Sequence, residues 1–134
     1  MEVKATNDEV YAINNGIAPL SCSTNHNWKT CIWQLDENLC TFDYVFDESA
    51  ITNKWIYNEV SCDPEFGPHK IIQPKNDDTG NNNTKCSIEI EQVTGDREYT
   101  CTFQRCNLEE NNMCRTKVSK DCPTYSATVN VKVN

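Results

Sequence analysis

Residues 86–101 read CSIEIEQVTGDREYTC, and this stretch decides the fold. Its first half alternates: Cys86, Ile88 and Ile90 fall on one side of an extended chain, Ser87, Glu89 and Glu91 on the other. That period of two belongs to a strand with one dry and one wet face. Gly95-Asp96 then breaks the run, as a turn does. A second alternation follows, with Tyr99, Cys101 and Phe103 on one face and Thr100, Thr102 and Gln104 on the other.

The same pattern extends outward. Val10–Ile13 reads as a short first strand ended by Asn14-Asn15-Gly16, a strong turn signal. Ala18, Leu20 and Cys22 alternate inward, although Pro19 cannot donate to a ladder and predicts a bulge or a late strand start. Cys31, Trp33 and Leu35 share a face, and Asp36-Glu37-Asn38 makes the next turn. Phe42, Tyr44 and Phe46 form another alternating strand, Lys54–Tyr57 a further one, and His69–Ile72 a weaker one. Tyr125, Ala127, Val129, Val131 and Val133 alternate with Ser126, Thr128, Asn130 and Lys132 in a long last strand. Ser23–Thr30 is a polar loop in which Trp28 is expected to tuck inward rather than stay exposed for contact. No internal repeat and no helix-period stretch is present.

Leu20 and Cys22, Cys31-Ile32-Trp33, Ile88-x-Ile90 and Tyr99-Thr100-Cys101 together resemble strands B, C, E and F of an immunoglobulin domain, and the Cys22…Trp33…Cys101 triple carries most of that resemblance. The fold class it implies is all-β, an immunoglobulin-like Greek-key β-sandwich spanning 1–134 as a single domain. Two strands before the one at His69 make it similar to the variable type. The resemblance implies that Trp33 packs on a Cys22–Cys101 bridge. Tyr99, two before that Cys and just after a turn, has the form of a tyrosine corner, whose hydroxyl bonds back to the backbone. The positions where the family carries Asp and Gly hold Gly95 and Arg97, which puts its usual salt bridge at the bottom of the domain in question. The competing reading is an unrelated disulfide-rich β-domain with a chance Tyr-x-Cys.

The chain has 134 residues, enough for one core, and 9 of them are cysteine. That density indicates an extracellular or secretory setting. No pair stands at Cys-x-x-Cys spacing, so no zinc ribbon or thioredoxin-like site is expected. Cys31 and Cys86 share the inward face, and in the implied topology their strands begin at the same end. A Cys31–Cys86 bridge also resembles the four-cysteine pattern of many arthropod immunoglobulin domains. Cys40 and Cys62 could staple the strands around them, and two of Cys106, Cys114 and Cys122 could close the loop before the last strand. The odd count leaves one thiol unpaired or paired with another chain.

A formal charge of -8 argues against nucleic acid and anionic membrane surfaces. No apolar run approaches a bilayer span, and no signal peptide opens the chain. Asn82-Asn83-Thr84 is an N-glycosylation sequon, with Asn82 the acceptor. Residues 74–85 carry carboxylates, but not at the spacing of an EF-hand loop. His26 and His69 are the imidazoles available, and no nucleophile elbow, phosphate-cradling loop or recognisable carboxylate pair accompanies them. No catalytic, cofactor-binding or metal-ligating set is therefore expected, and no enzyme.

What remains is recognition. The segment Cys106–Cys122 occupies the position of the third hypervariable loop in the domains this chain resembles. It exceeds an ordinary hairpin connection, and long loops are usually functional or disordered. Its charges are segregated, Glu109 and Glu110 before Cys114, Arg115 and Lys117 after it. The expected partner-binding residues are Leu108, Glu109, Glu110, Met113, Arg115 and Lys117. The alternative surface is the one around Phe42, Tyr44, Trp55 and Tyr57. The expected function is an extracellular protein-recognition module of a secreted or cell-surface protein, binding a protein ligand or a domain of its own type. Alternatives are a secreted disulfide-stabilised effector or inhibitor, and glycan binding through Trp28 or Trp55.

Overall fold

A computed structural model describes residues 2–26, 28–47, 54–72, 84–104 and 124–134, with the backbone alone for 44–47 and 54–58. Among the described residues ten strands run in order: β1 (Val3–Ala5), β2 (Glu9–Ala12), β3 (Gly16–Thr24), β4 (Thr30–Leu35), β5 (Asn38–Asp47), β6 (Lys54–Cys62), β7 (His69–Ile71), β8 (Lys85–Val93), β9 (Arg97–Gln104) and β10 (Thr124–Val133). A 3-10 turn, Pro64–Phe66, is the one helical piece among the described residues.

The strands form two sheets, in the orders β1-β3-β8-β7 and β2-β10-β9-β4-β5-β6. The N-terminal segment changes sheet, since β1 pairs with β3 while β2 runs parallel to β10. Alternation dictates how the sheets meet. Ala18, Leu20, Cys22, Cys86, Ile88 and Ile90 are buried from one side, and Cys31, Trp33, Phe42, Tyr99, Cys101, Phe103, Val129 and Val131 from the other. The result is an all-β sandwich whose core is held by hydrophobic burial.

Local detail follows from particular residues. Gly16 N–H donates to the Ile13 carbonyl at 2.8 Å, and Asn15 takes a φ of 61°, which Asn tolerates better than most residues. A side chain at Gly16 would put its Cβ 2.7 Å from Ile13 Cγ1, so glycine is required there. The register between β3 and β8 shifts between Gly16 and Ala18, ahead of Pro19 rather than at it. Pro19 itself pairs with Glu89 in a stretch that β1, which covers Cys22–Thr24, does not flank. Asp36, with a φ of 54°, makes the tight turn from β4 to β5.

Three strands differ from expectation. β1 is additional, being three residues with Lys4 at its centre. The first expected strand stops at Ala12, leaving Ile13 73% exposed in the turn. β6 runs on to Cys62 because β5 is long enough to pair with it along its whole length.

Candidate recognition surface

Two disulfides tie the sheets together. Cys22 of β3 bonds Cys101 of β9, and Cys31 of β4 bonds Cys86 of β8. Cys22 faces Cys86 within one sheet, while Trp33 faces Cys101 within the other. Trp33 is fully buried beside the first bridge, as expected. A third disulfide, Cys40–Cys62, joins directly paired residues of β5 and β6. Cys106, Cys114 and Cys122 lie outside the described residues, as do the sequon Asn82 and the contact residues Leu108, Glu109, Glu110, Met113, Arg115 and Lys117. Three disulfides mark an extracellular or secreted protein. No helix among the described residues is long and apolar enough to cross a membrane.

Strand register brings three connections to one end of the larger sheet. Thr30 pairs with Asp43 on one side and Gln104 on the other, and Gln104 pairs with Thr124. At this end, therefore, β3 passes to β4 and β9 departs toward β10. β5 and β6 continue past it, to the Asp47–Lys54 pair. Asp47 and Lys54, which flank segment 48–53, and Gln104 and Thr124, which flank segment 105–123, stand at this end.

The base of this end is packed and hydrogen-bonded. Trp28 is fully buried and meets Phe103 edge-on, with ring centroids 5.6 Å apart. Trp28 is thus tucked under the loop, as expected, rather than presented at the surface. Lys29 Nζ lies 2.7 Å from Asp43 Oδ1, which also accepts from Thr30 Oγ1 at 3.1 Å. Thr24 Oγ1 donates to the His26 carbonyl, closing the turn after β3. His26 is exposed beside it.

Below this end the outer face of the larger sheet carries no charge across two rows. Register aligns Ser61, Thr41, Ile32, Thr102 and Ser126 in one row, and Leu39, Gln34, Thr100 and Thr128 in the next. Ser126 and Thr102 hydroxyls are 2.9 Å apart. In a chain of charge -8 this flat neutral field costs little to desolvate compared with charged surface. Phe42, placed by sequence on the alternative contact face, is 0% exposed and belongs to the core. It shares the inward parity of Cys40. The side chains of Tyr44, Trp55 and Tyr57 lie outside what is described.

The opposite end differs from expectation at Tyr99. Its ring is buried and meets Phe66 edge-on at 6.0 Å, but its hydroxyl has no hydrogen-bond partner. The polar neighbour is the Arg97 guanidinium, which does not close a hydrogen bond, in place of the backbone group expected of a tyrosine corner. Burial pushes the phenol above its ordinary range, and Arg97 pulls the other way. Among the described residues Arg97 forms no ion pair within 4.0 Å, so the salt bridge that Gly95 and Arg97 put in question is not made there. A cavity of about 410 Å³ lies nearby, lined by Gln34, Asp36, Asp96, Arg97, Glu98 and Thr100. Asp96 Oδ1 accepts from the Val133 N–H at 2.9 Å, which ties the last strand to this turn.

His69 is half-buried and brings a ring nitrogen close to the Cys40 and Cys62 sulfurs. Sequence spacing alone pointed away from any such grouping.

No protein-family model matches this chain, and no curated protein matches it. Solved structures do. One chain, from a structure described as the "Structural basis of T cell specificity and activation by the bacterial superantigen toxic shock syndrome toxin-1", superposes with a TM-score of 0.56 at 13% identity. The match covers 98% of each chain, so the two are close in length as well as in path. At that identity the likeness speaks for the two-sheet all-β fold and for nothing finer.

Proposed function

We infer that this chain is a variable-type immunoglobulin-like domain that works as an extracellular protein-recognition module. Support for the type comes from topology. The N-terminal segment is split between sheets, β5 and β6 stand between β4 and β7, and the β3–β9 disulfide lies beside Trp33. Support for recognition comes from one observation above the others. The strand ends flanking connections 25–29, 48–53 and 105–123 stand together at one end of a disulfide-braced sandwich, next to two neutral rows on the outer sheet face. Loops set on a rigid scaffold are where binding residues concentrate. Bracing lowers the entropy lost on association.

The contact surface is assigned to residues 106–122 together with the neutral face of β4, β9 and β10. The ligand is a protein, either a separate chain or a domain of the same type. A first test is proximity labelling on cells with the oxidised domain, comparing wild type with a block substitution of Leu108, Glu109, Glu110, Met113, Arg115 and Lys117. Loss of the labelled partner by a variant that stays folded supports the assignment. Full retention by that variant and by a second one, Thr102→Arg/Ser126→Arg, defeats it.

A further inference from the structure

Three metal-ligating side chains converge where the two sheets meet at the β6 edge. Cys40 on β5 and Cys62 at the end of β6 face each other in register. His69 opens β7 in the other sheet, and its ring nitrogen and the two sulfurs all lie within 4.8 Å of one another. Hydrogen bonds fix the two cysteines. Leu39 N–H donates to Asp63 Oδ2 at 2.7 Å, and Asp63 N–H donates to the Leu39 carbonyl at 2.8 Å, which clamps the neighbours of both cysteines.

The imidazole is oriented as well. His69 Nδ1 is 2.9 Å from the Gly67 carbonyl. A carbonyl oxygen only accepts, so Nδ1 carries the hydrogen, and in the neutral ring Nε2 keeps its lone pair. Phe66 packs edge-on against the ring at 5.7 Å. A ring N–H held by a backbone carbonyl is how metal-ligating histidines are aimed and made more basic.

Access separates this bridge from the other two. Cys22, Cys101, Cys31 and Cys86 are all 0% exposed, whereas Cys62 is half-buried. Thiol–disulfide exchange requires a thiolate to reach a sulfur, so a reductant meets Cys40–Cys62 first among these three.

We propose that a dithiol reductant opens Cys40–Cys62 and that the two thiols, with the His69 imidazole, then bind a thiophilic divalent cation, zinc foremost. The reductant's thiolate attacks Cys62 Sγ, the sulfur–sulfur bond breaks, and Cys40 takes up a proton as a thiol. The reductant's second thiol attacks the mixed disulfide, leaves as an internal disulfide, and releases Cys62 as a thiol. Two electrons and two protons pass from the dithiol to the protein. The cation displaces both thiol protons. Zinc takes thiolate at about 2.3 Å and imidazole at about 2.0–2.1 Å, which sets neighbouring ligand atoms about 3.5–3.8 Å apart in a tetrahedron. Side chains already this close need shifts of about an ångström. The fourth position is left to water or an incoming ligand. Metal would thus replace the covalent tie between β5 and β6 and extend it to β7, coupling the site to folding stability.

The test starts from the oxidised, folded chain, treated with graded dithiothreitol under anaerobic conditions and then freed of reductant. Alkylation mapping follows each bridge, and cobalt(II) and zinc(II) are titrated. The expected result is that Cys40–Cys62 opens first and that the reduced protein binds one cobalt with thiolate charge-transfer absorption. Zinc should displace it, His69→Ala should weaken binding more than about 10-fold, and Cys40→Ser/Cys62→Ser should abolish it. Equal binding by oxidised protein, unchanged affinity in His69→Ala, or earlier opening of Cys22–Cys101 or Cys31–Cys86 would overturn the proposal. Persistent binding by the double serine variant would also overturn it, since the metal would then sit on Cys106, Cys114 or Cys122. If that variant does not fold, His69→Ala, which keeps the bridge, decides alone.

Discussion

Lys29 Nζ and Asp43 Oδ1 lie 2.7 Å apart, with side chains 6% and 15% exposed. This ion pair crosses from the end of the β3–β4 connection to β5, beneath the loop end. Asp43→Ala would leave a nearly buried ammonium without its counter-charge, which costs about 3–5 kcal/mol when a buried pair is broken from one side. Replacing both, as in Lys29→Met/Asp43→Leu, should cost much less. Urea denaturation of the three proteins checks this; equal stability of Asp43→Ala and wild type would show the pair to be incidental.

The disulfides should rank by loop length. In the chain-entropy model, bridges closing 79, 55 and 22 residues contribute about 4.5, 4 and 3 kcal/mol. Pairwise Cys→Ala variants, compared by denaturant midpoint, should therefore lose most at Cys22–Cys101 and least at Cys40–Cys62. The reverse order would mean that packing around the buried bridges absorbs their loss.

Trp28→Ala should cost about 3–5 kcal/mol, because a fully buried indole against Phe103 leaves a large cavity. A change below about 1 kcal/mol would show that the loop rearranges to fill the space, and would reopen this residue as a contact.

Tyr99→Phe should be neutral or stabilising by about 1–3 kcal/mol, since the deleted hydroxyl is buried without a partner. The phenol is also raised above its ordinary value of 10.0, chiefly by burial. The neutral form is thus favoured in the folded state. This contribution is fully present below about pH 10 and is lost as pH rises through the folded value. Alkaline unfolding should begin above pH 10 and be blunted in Tyr99→Phe. A loss of stability at neutral pH in that variant would restore the tyrosine corner.

How far the sequence could be read depended on the range of the interactions. Alternation placed Ile88, Ile90, Tyr99, Cys101, Val129 and Val131 correctly, because strand parity is local and each face meets one medium. Trp28 could be placed because a large apolar ring in a polar loop has a better home inside. β1 leaves no signature, since three residues centred on Lys4 carry almost no period. Whether the Tyr99 hydroxyl meets the backbone depends on the path of the turn through Gly95, which no pattern records. The inward place of Phe42 is legible too, since it shares parity with Cys40. The Cys40, Cys62 and His69 grouping is invisible in the chain, being made by the pairing of β5 with β6 and by β7 from the other sheet.

Saturation binding of the oxidised domain to cells of the source organism, before and after surface proteolysis and before and after deglycosylation, tests the recognition module most directly. The account predicts saturable binding that proteolysis abolishes, that deglycosylation leaves within about 2-fold, and that Thr102→Arg/Ser126→Arg reduces at least about 10-fold, or about 1.4 kcal/mol. Binding that survives proteolysis and disappears on deglycosylation, or no saturable binding by a folded and fully oxidised domain, would contradict it.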